Sequence, residues 1–158
     1  MTGRQDKATP VPRQAARAIL MDGAGRVLLI HFAMPKGGGV YTFWATPGGG
    51  LEPGECAMAA VKREVLEELG LSLALHGPVH TAVGIFEYDG VTVENTDTFF
   101  LGRCDVTPAL QGATDHERAA LLELRWWTPD EIENTAEDIY PRDLAEVLRR
   151  MRRMFPAG

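Results

Sequence analysis

Residues 49–71 read GGLEPGECAMAAVKREVLEELGL, and this stretch limits the fold more than any other. A glycine-rich turn feeds a helix that starts near Cys56 and has no internal Gly or Pro before Gly70. Glycine there suits the left-handed position that ends a helix. Met58, Val61, Val65 and Leu69 recur at spacings of three and four, which makes one apolar stripe. Glu64, Glu67 and Glu68 project elsewhere. At about 100° per residue, Glu64 and Glu68 are roughly 40° apart, with Glu67 about 60° to the other side of Glu64. Ala57 and Ala60, in the preceding turns, leave room above this acidic wedge. Like charges so close raise one another's pKa unless a cation sits among them. Mg²⁺, a hard ion that takes oxygen ligands, is the natural candidate. The apolar stripe seats the helix, and the seated helix holds the acids.

The rest of the chain supplies a sheet for that helix to rest on. Residues 15–21 and 26–32 read as strands about a turn at Asp22, Gly23 and Gly25, and residues 35–39 as a flexible loop. Residues 79–88 and 93–103 read as a pair about Asp89 and Gly90. Residues 105–119 read as loop, and the second half of 121–127 as strand. A short helix begins at Pro129, and residues 141–154 form a closing helix with Leu144, Val147, Leu148 and Met151 inward. Strands and helices alternate without a strict βαβ rhythm. That favours an α+β mixed arrangement, a mixed sheet flanked by helices, over a doubly wound one.

The chain has 158 residues, 45% apolar and 24% charged, an ordinary globular balance that suits one domain. The expected division is a flexible segment 1–13, one domain 14–155 and a tail 156–158. Twenty-two acidic against 16 basic residues leave a formal charge of -6, which disfavours nonspecific binding to nucleic acid or anionic membranes. Small anionic substrates stay open where metal ions or local arginines supply positive potential. No apolar run approaches the length of a membrane span, and residues 1–13 lack the apolar stretch of a signal peptide. A cytoplasmic protein is expected. Cys56 and Cys104 lie far apart, outside any CxxC, and read as free thiols. Arg149, Arg150, Arg152 and Arg153 end the last helix, where positive charge offsets the dipole, so they read as a solvated tail.

Gly49, Glu55, Arg63, Glu64, Val65, Glu67, Glu68, Gly70 and Leu71 together fill the pattern G-x5-E-x7-R-E-U-x-E-E-x-G-U, with U bulky and aliphatic. This resembles the box of the Nudix hydrolase family, MutT-like enzymes, at every specified position. At background residue usage a chance match is on the order of one in 10⁸ per window. The resemblance implies an α/β/α sandwich with a central mixed sheet. It implies that Glu64, Glu67 and Glu68 bind Mg²⁺, with Mn²⁺ the second candidate, and that Glu67 and Glu64 carry the catalytic role with Arg63. A carbonyl of Gly49 or Gly48 joins the ligands, in a phosphate loop of Gly48, Gly49 and Gly50. Arg63 is expected to bridge to Glu55 or to a helix carboxylate rather than to the ion. Glu55, at the helix start, is expected to play a supporting part behind the ligands. A later acid often completes such sites; here Glu117 ranks ahead of Glu123, with Asp115 third.

The implied reaction is attack of water on phosphorus in a nucleoside diphosphate linked to a second group X. Nucleoside triphosphates, dinucleoside polyphosphates and nucleotide sugars are the candidate classes. Within the family, an ADP-ribose-type group carries a proline about fifteen residues past the box, where this chain has Phe86. A diadenosine-polyphosphate-type group carries a tyrosine nearby, and Tyr88 answers to it. Tyr88, Phe86, Trp126 and Glu123 are the candidate substrate contacts, with Tyr41, Phe43 and Trp127 as further stacking groups. The rival function is a noncatalytic nucleotide-sensing or interaction domain on the same fold. RNA decapping ranks lower, given the net charge. A homodimer is a candidate assembly that the sequence does not locate.

Overall fold

A computed structural model describes residues 9–88, 90–111 and 120–154, without the side chain of Tyr88. In chain order the elements are β1 (Val11–Met21), β2 (Val27–Lys36), β3 (Gly39–Ala45), β4 (Gly48–Gly50), α1 (Ala57–Leu69), β5 (Leu75–Tyr88), β6 (Val91–Arg103), β7 (Ala120–Trp127), α2 (Pro129–Asn134), β8 (Ile139–Tyr140) and α3 (Leu144–Met154). The described strands form one mixed sheet in the order β5-β6-β1-β2-β3-β8, with β4 also on β1 and β7 also on β2. β1 runs parallel to β6 and β3 parallel to β8; the other pairings are antiparallel.

Strand alternation divides the core into two layers. Ala16, Ala18 and Leu20 of β1, with Leu28 and Ile30 of β2, face Val61, Val65 and Leu69 of α1. The intervening Ile19, Val27 and Leu29 face Leu144, Val147, Leu148 and Met151 of α3. A helix on each face of a mixed sheet makes the α/β/α sandwich. Fully burying each of the valine, leucine, isoleucine and methionine side chains contributes on the order of 1.5–3 kcal/mol.

The helices and the β5–β6 hairpin match their sequence readings closely. α1 ends at Gly70, whose φ of 66° is left-handed and whose N–H donates to the Leu66 carbonyl. α2 is closed by a capping box between Thr128 and Glu131.

Other segments differ from expectation. Residues 35–39 are not a flexible loop: β2 and β3 pair through Lys36↔Gly39, because Gly37 and Gly38 both take positive φ and close a tight hairpin. β1 starts at Val11 rather than after the segment 1–13 read as flexible. Residues 11–13 pair in register with Val93, Glu94 and Asn95 of β6. Pro12 lies where, among the described strands, β1 is paired on one side only, with Glu94 of β6, an edge position that tolerates proline. β7 occupies the whole of its segment, with an irregularity opposite His31 and Phe32. β4 and β8 have no counterpart in the sequence reading; they are short and formed by their neighbours.

Candidate active site

The site is built where β4 passes the middle of α1. Three glycines have little intrinsic preference for a strand, yet Gly48, Gly49 and Gly50 pair with Arg17, Ala16 and Ala15 of β1. Glycine is demanded by space. A Cβ on Gly48, at φ 144°, would lie 2.2 Å from the Ala16 carbonyl oxygen. A Cβ on Gly49 would lie 2.7 Å from Glu64 Oε1. The bare backbone of Gly49 is what lets Glu64 close against the loop.

Glu64 is 4% exposed, between Ala60 and Val65 on the packed side of α1. A carboxylate removed from water this far needs a charged partner. Arg63 supplies it by turning its guanidinium around the helix. Nη1 donates to Glu64 Oε1 at 2.9 Å and to Glu67 Oε2 at 3.4 Å. Nε and Nη2 grip Glu55 at 2.8 and 2.9 Å, and Nη2 also donates to the Gly50 carbonyl at 3.1 Å. Both partners expected for Arg63 are therefore engaged at once, and its fork joins the helix to the loop. These hydrogen bonds, with one from the Glu52 N–H, hold the Glu55 carboxyl down to about 2 from an ordinary 4.5. The same bonds push the Arg63 guanidinium above its usual range. Glu68 is drawn to the loop from the other side and accepts the Gly48 N–H at 3.0 Å.

The donor chemistry fits a hard divalent ion: three carboxylates on adjacent turns beside glycine carbonyls. The like charges of the wedge are relieved here by Arg63, whose Nη1 lies between Glu64 and Glu67. Among the described residues no three acid, histidine or cysteine side chains already form a cage.

The remaining candidates are dispersed. Glu117 and Asp115 lie outside the described residues, as does the Tyr88 side chain. Glu123 sits on β7 opposite His31, with Oε2 3.5 Å from His31 Nδ1. Trp126 is half-buried; its indole N–H donates to Thr107 at 2.9 Å and Arg26 lies over its ring. Phe86 is 41% exposed on β5.

Four polar residues next to the loop escaped the sequence reading. Arg13 Nη1 donates to Asn95 Oδ1 at 2.8 Å, and Asn95 Nδ2 donates to Asp97 Oδ1 at 3.0 Å. Arg17 Nε meets that same Asp97 oxygen at 3.3 Å. Arg13, Ala15 and Arg17 share one face of β1, in register with Asn95, Asp97 and Phe99 on β6. The available signal was two arginines four positions apart, and so on one face, in a strand that also carries the buried Ala15, Ala16, Ala18, Ile19 and Leu20.

A family model described as the NUDIX domain matches residues 11–151. Among solved structures, a MutT protein from Methanosarcina mazei Go1 has a TM-score of 0.69 at 18% identity, covering 95% of this chain and 99% of that one. The dihydroneopterin triphosphate pyrophosphohydrolase of E. coli has a TM-score of 0.63 at 18% identity, over 89% and 96% of the two chains. A C. elegans Ap4A hydrolase in a binary complex has a TM-score of 0.60 at 19% identity, over 92% and 99%. At these identities the likeness is one of fold. No curated protein matches the chain.

Proposed function

The chain belongs to the Nudix family of hydrolases, and on that premise we propose that it is a divalent-metal-dependent pyrophosphohydrolase. The substrate class is a nucleotide-type diphosphate linked to a second group, cleaved by water attack on phosphorus. The observation that carries this reading is the single guanidinium of Arg63 tying Glu55, Glu64, Glu67 and the Gly50 carbonyl together beside β4. A helix that buried Glu64 for stability alone would do better with an apolar side chain.

In this reading Glu64 and Glu68 hold Mg²⁺ or Mn²⁺, with a carbonyl of Gly48 or Gly49 and a later acid, Glu117 ahead of Glu123. The ion, when bound, neutralises phosphate oxygens and lowers the pKa of water. The chain's own part is positional. Glu67, whose side chain is more exposed than that of Glu64 (30% against 5%), is suited to orient water and accept its proton. Arg63 and Glu55 keep the acids in place when the ion is absent. The β4 backbone, free of side chains, lets Glu64 and Arg13 close against the phosphate loop. The neighbours named for dihydroneopterin triphosphate and Ap4A support a polyphosphate substrate.

The test is phosphate release from a panel of nucleoside triphosphates, dinucleoside polyphosphates and nucleotide sugars, with Mg²⁺ and with EDTA. Turnover that needs the ion and vanishes in Glu68→Gln supports the reading. No ion-dependent turnover on any class would leave the noncatalytic sensing domain in its place.

A further inference from the structure

The residue before the box, Gly48, is held at both ends. Its N–H donates to Glu68 Oε1 at 3.0 Å. Its carbonyl accepts from Arg17 Nη1 at 3.4 Å, and the same Nη1 reaches the Thr46 carbonyl at 3.2 Å. Arg17 is a costly residue for its place. It lies in β1 between the fully buried Ala16 and Ala18, with a side chain only 20% exposed. Its Nε is anchored by Asp97, which Asn95 orients, and Asn95 accepts in turn from Arg13. Asn95 is itself 6% exposed, so the row is built into the sheet. On the β1 side the Ala16 carbonyl oxygen fills the place that a Cβ on Gly48 would take.

From this geometry we infer that Arg17 is a positioning residue. Anchored on Asp97, it holds the Thr46 and Gly48 carbonyls of the two peptides that flank the Pro47–Gly48 peptide, and through the Gly48 N–H between them it sets the carboxylate of Glu68. The inference rests on the hydrolase reading for its catalytic consequence. Its structural half, the coupling of Arg17 to Gly48, stands apart from that reading. A planar fork can hold Asp97 and two carbonyls together, whereas a lysine ammonium on a flexible stem cannot hold all three in one geometry. Small displacements of groups behind metal ligands have measurable cost.

The test compares Arg17→Gln, Arg17→Lys and Asp97→Asn with the full chain. Metal-free protein is followed by Gly48 amide hydrogen exchange, Mn²⁺ binding by electron paramagnetic resonance, and turnover by kcat and KM. Arg17→Gln is expected to speed Gly48 exchange, to weaken Mn²⁺ binding about 10-fold and to lower kcat about 10–100-fold, with KM changed less than about 3-fold. Arg17→Lys should recover part of kcat, and Asp97→Asn should move all readouts in the same direction by less. A folded Arg17→Gln that exchanges Gly48 at the wild-type rate, or keeps kcat within about 2-fold, overturns the inference. If Arg17→Gln does not fold, wild-type exchange at Gly48 in Asp97→Asn overturns it instead. Should the wild type itself show no ion-dependent turnover, the hydrolase reading fails, while exchange at Gly48 still decides the role of Arg17.

Discussion

α1 and α3 flank the same sheet, yet they are built to different ends. α3 is a plain amphipathic helix. Leu144, Val147, Leu148 and Met151 fill one core layer, and Arg149 turns outward to Asp130 and Glu133 beside α2, at 2.6 Å each. Each of these groups does what its polarity dictates. α1 breaks that rule. Glu64 lies within its packed face at 4% exposure, while Leu66 is 56% exposed. Arg63 bends back toward the helix and loop instead of reaching for water. A helix that only stabilises the domain keeps charge on its outer face. One that places a buried charge beside a glycine loop has traded stability for geometry.

That contrast can be broken experimentally. Glu67→Gln or Glu68→Gln should remove most ion-dependent turnover, a loss of roughly 10²–10⁴-fold, while Tm barely moves. Near-normal kcat in both purified variants would refute the role of α1. Leu148→Ala in α3 should do the reverse. It deletes a fully buried side chain, should destabilise the fold by about 2–5 kcal/mol in denaturant titration, and should leave kcat per folded molecule unchanged. Glu55→Gln sharpens the comparison through pH. Because the Glu55 carboxyl is held down to about 2 in the folded chain, its charge stabilises fully above the ordinary 4.5. That stabilisation disappears as pH falls through about 2. Wild type should therefore exceed Glu55→Gln in Tm above pH 4.5, with the gap closing toward pH 2. A gap independent of pH would mean that Arg63 does not pair with Glu55 in solution. Arg149→Gln on α3 is the smallest effect, a Tm change of no more than about 2 °C, since exposed ion pairs contribute little.

How much could be read without the fold depended on how local the cause was. α1 was legible nearly to the residue, since its stripe, its lack of internal Gly or Pro and its terminal Gly70 all act within a few turns. So were the inward face of α3 and the strand pair around Gly90. The hairpin through Gly37 and Gly38 was missed because a run of three glycines suggests freedom, whereas opposed strands turn the same glycines into a tight turn. β4 and β8 were missed because neither has a pattern of its own; β1 and β3 supply their hydrogen bonds.

The sequence by itself determined the acid-bearing helix, its glycine entry and its termini, together with the family to which they belong. Helical periodicity also called for a cation among the acids, because it puts like charges too close to stand alone; the tertiary structure decided that Arg63 lies between Glu64 and Glu67. Only the tertiary structure decided that Glu64 is buried against Gly49, that Glu68 takes the Gly48 N–H, and that Arg17 of β1, anchored on Asp97 of β6, reaches the loop. The hydrogen bonds among them join residues 20, 31 and 80 positions apart. Local spacing cannot encode such a meeting; the register of a parallel and an antiparallel partner on the two edges of β1 brings it about.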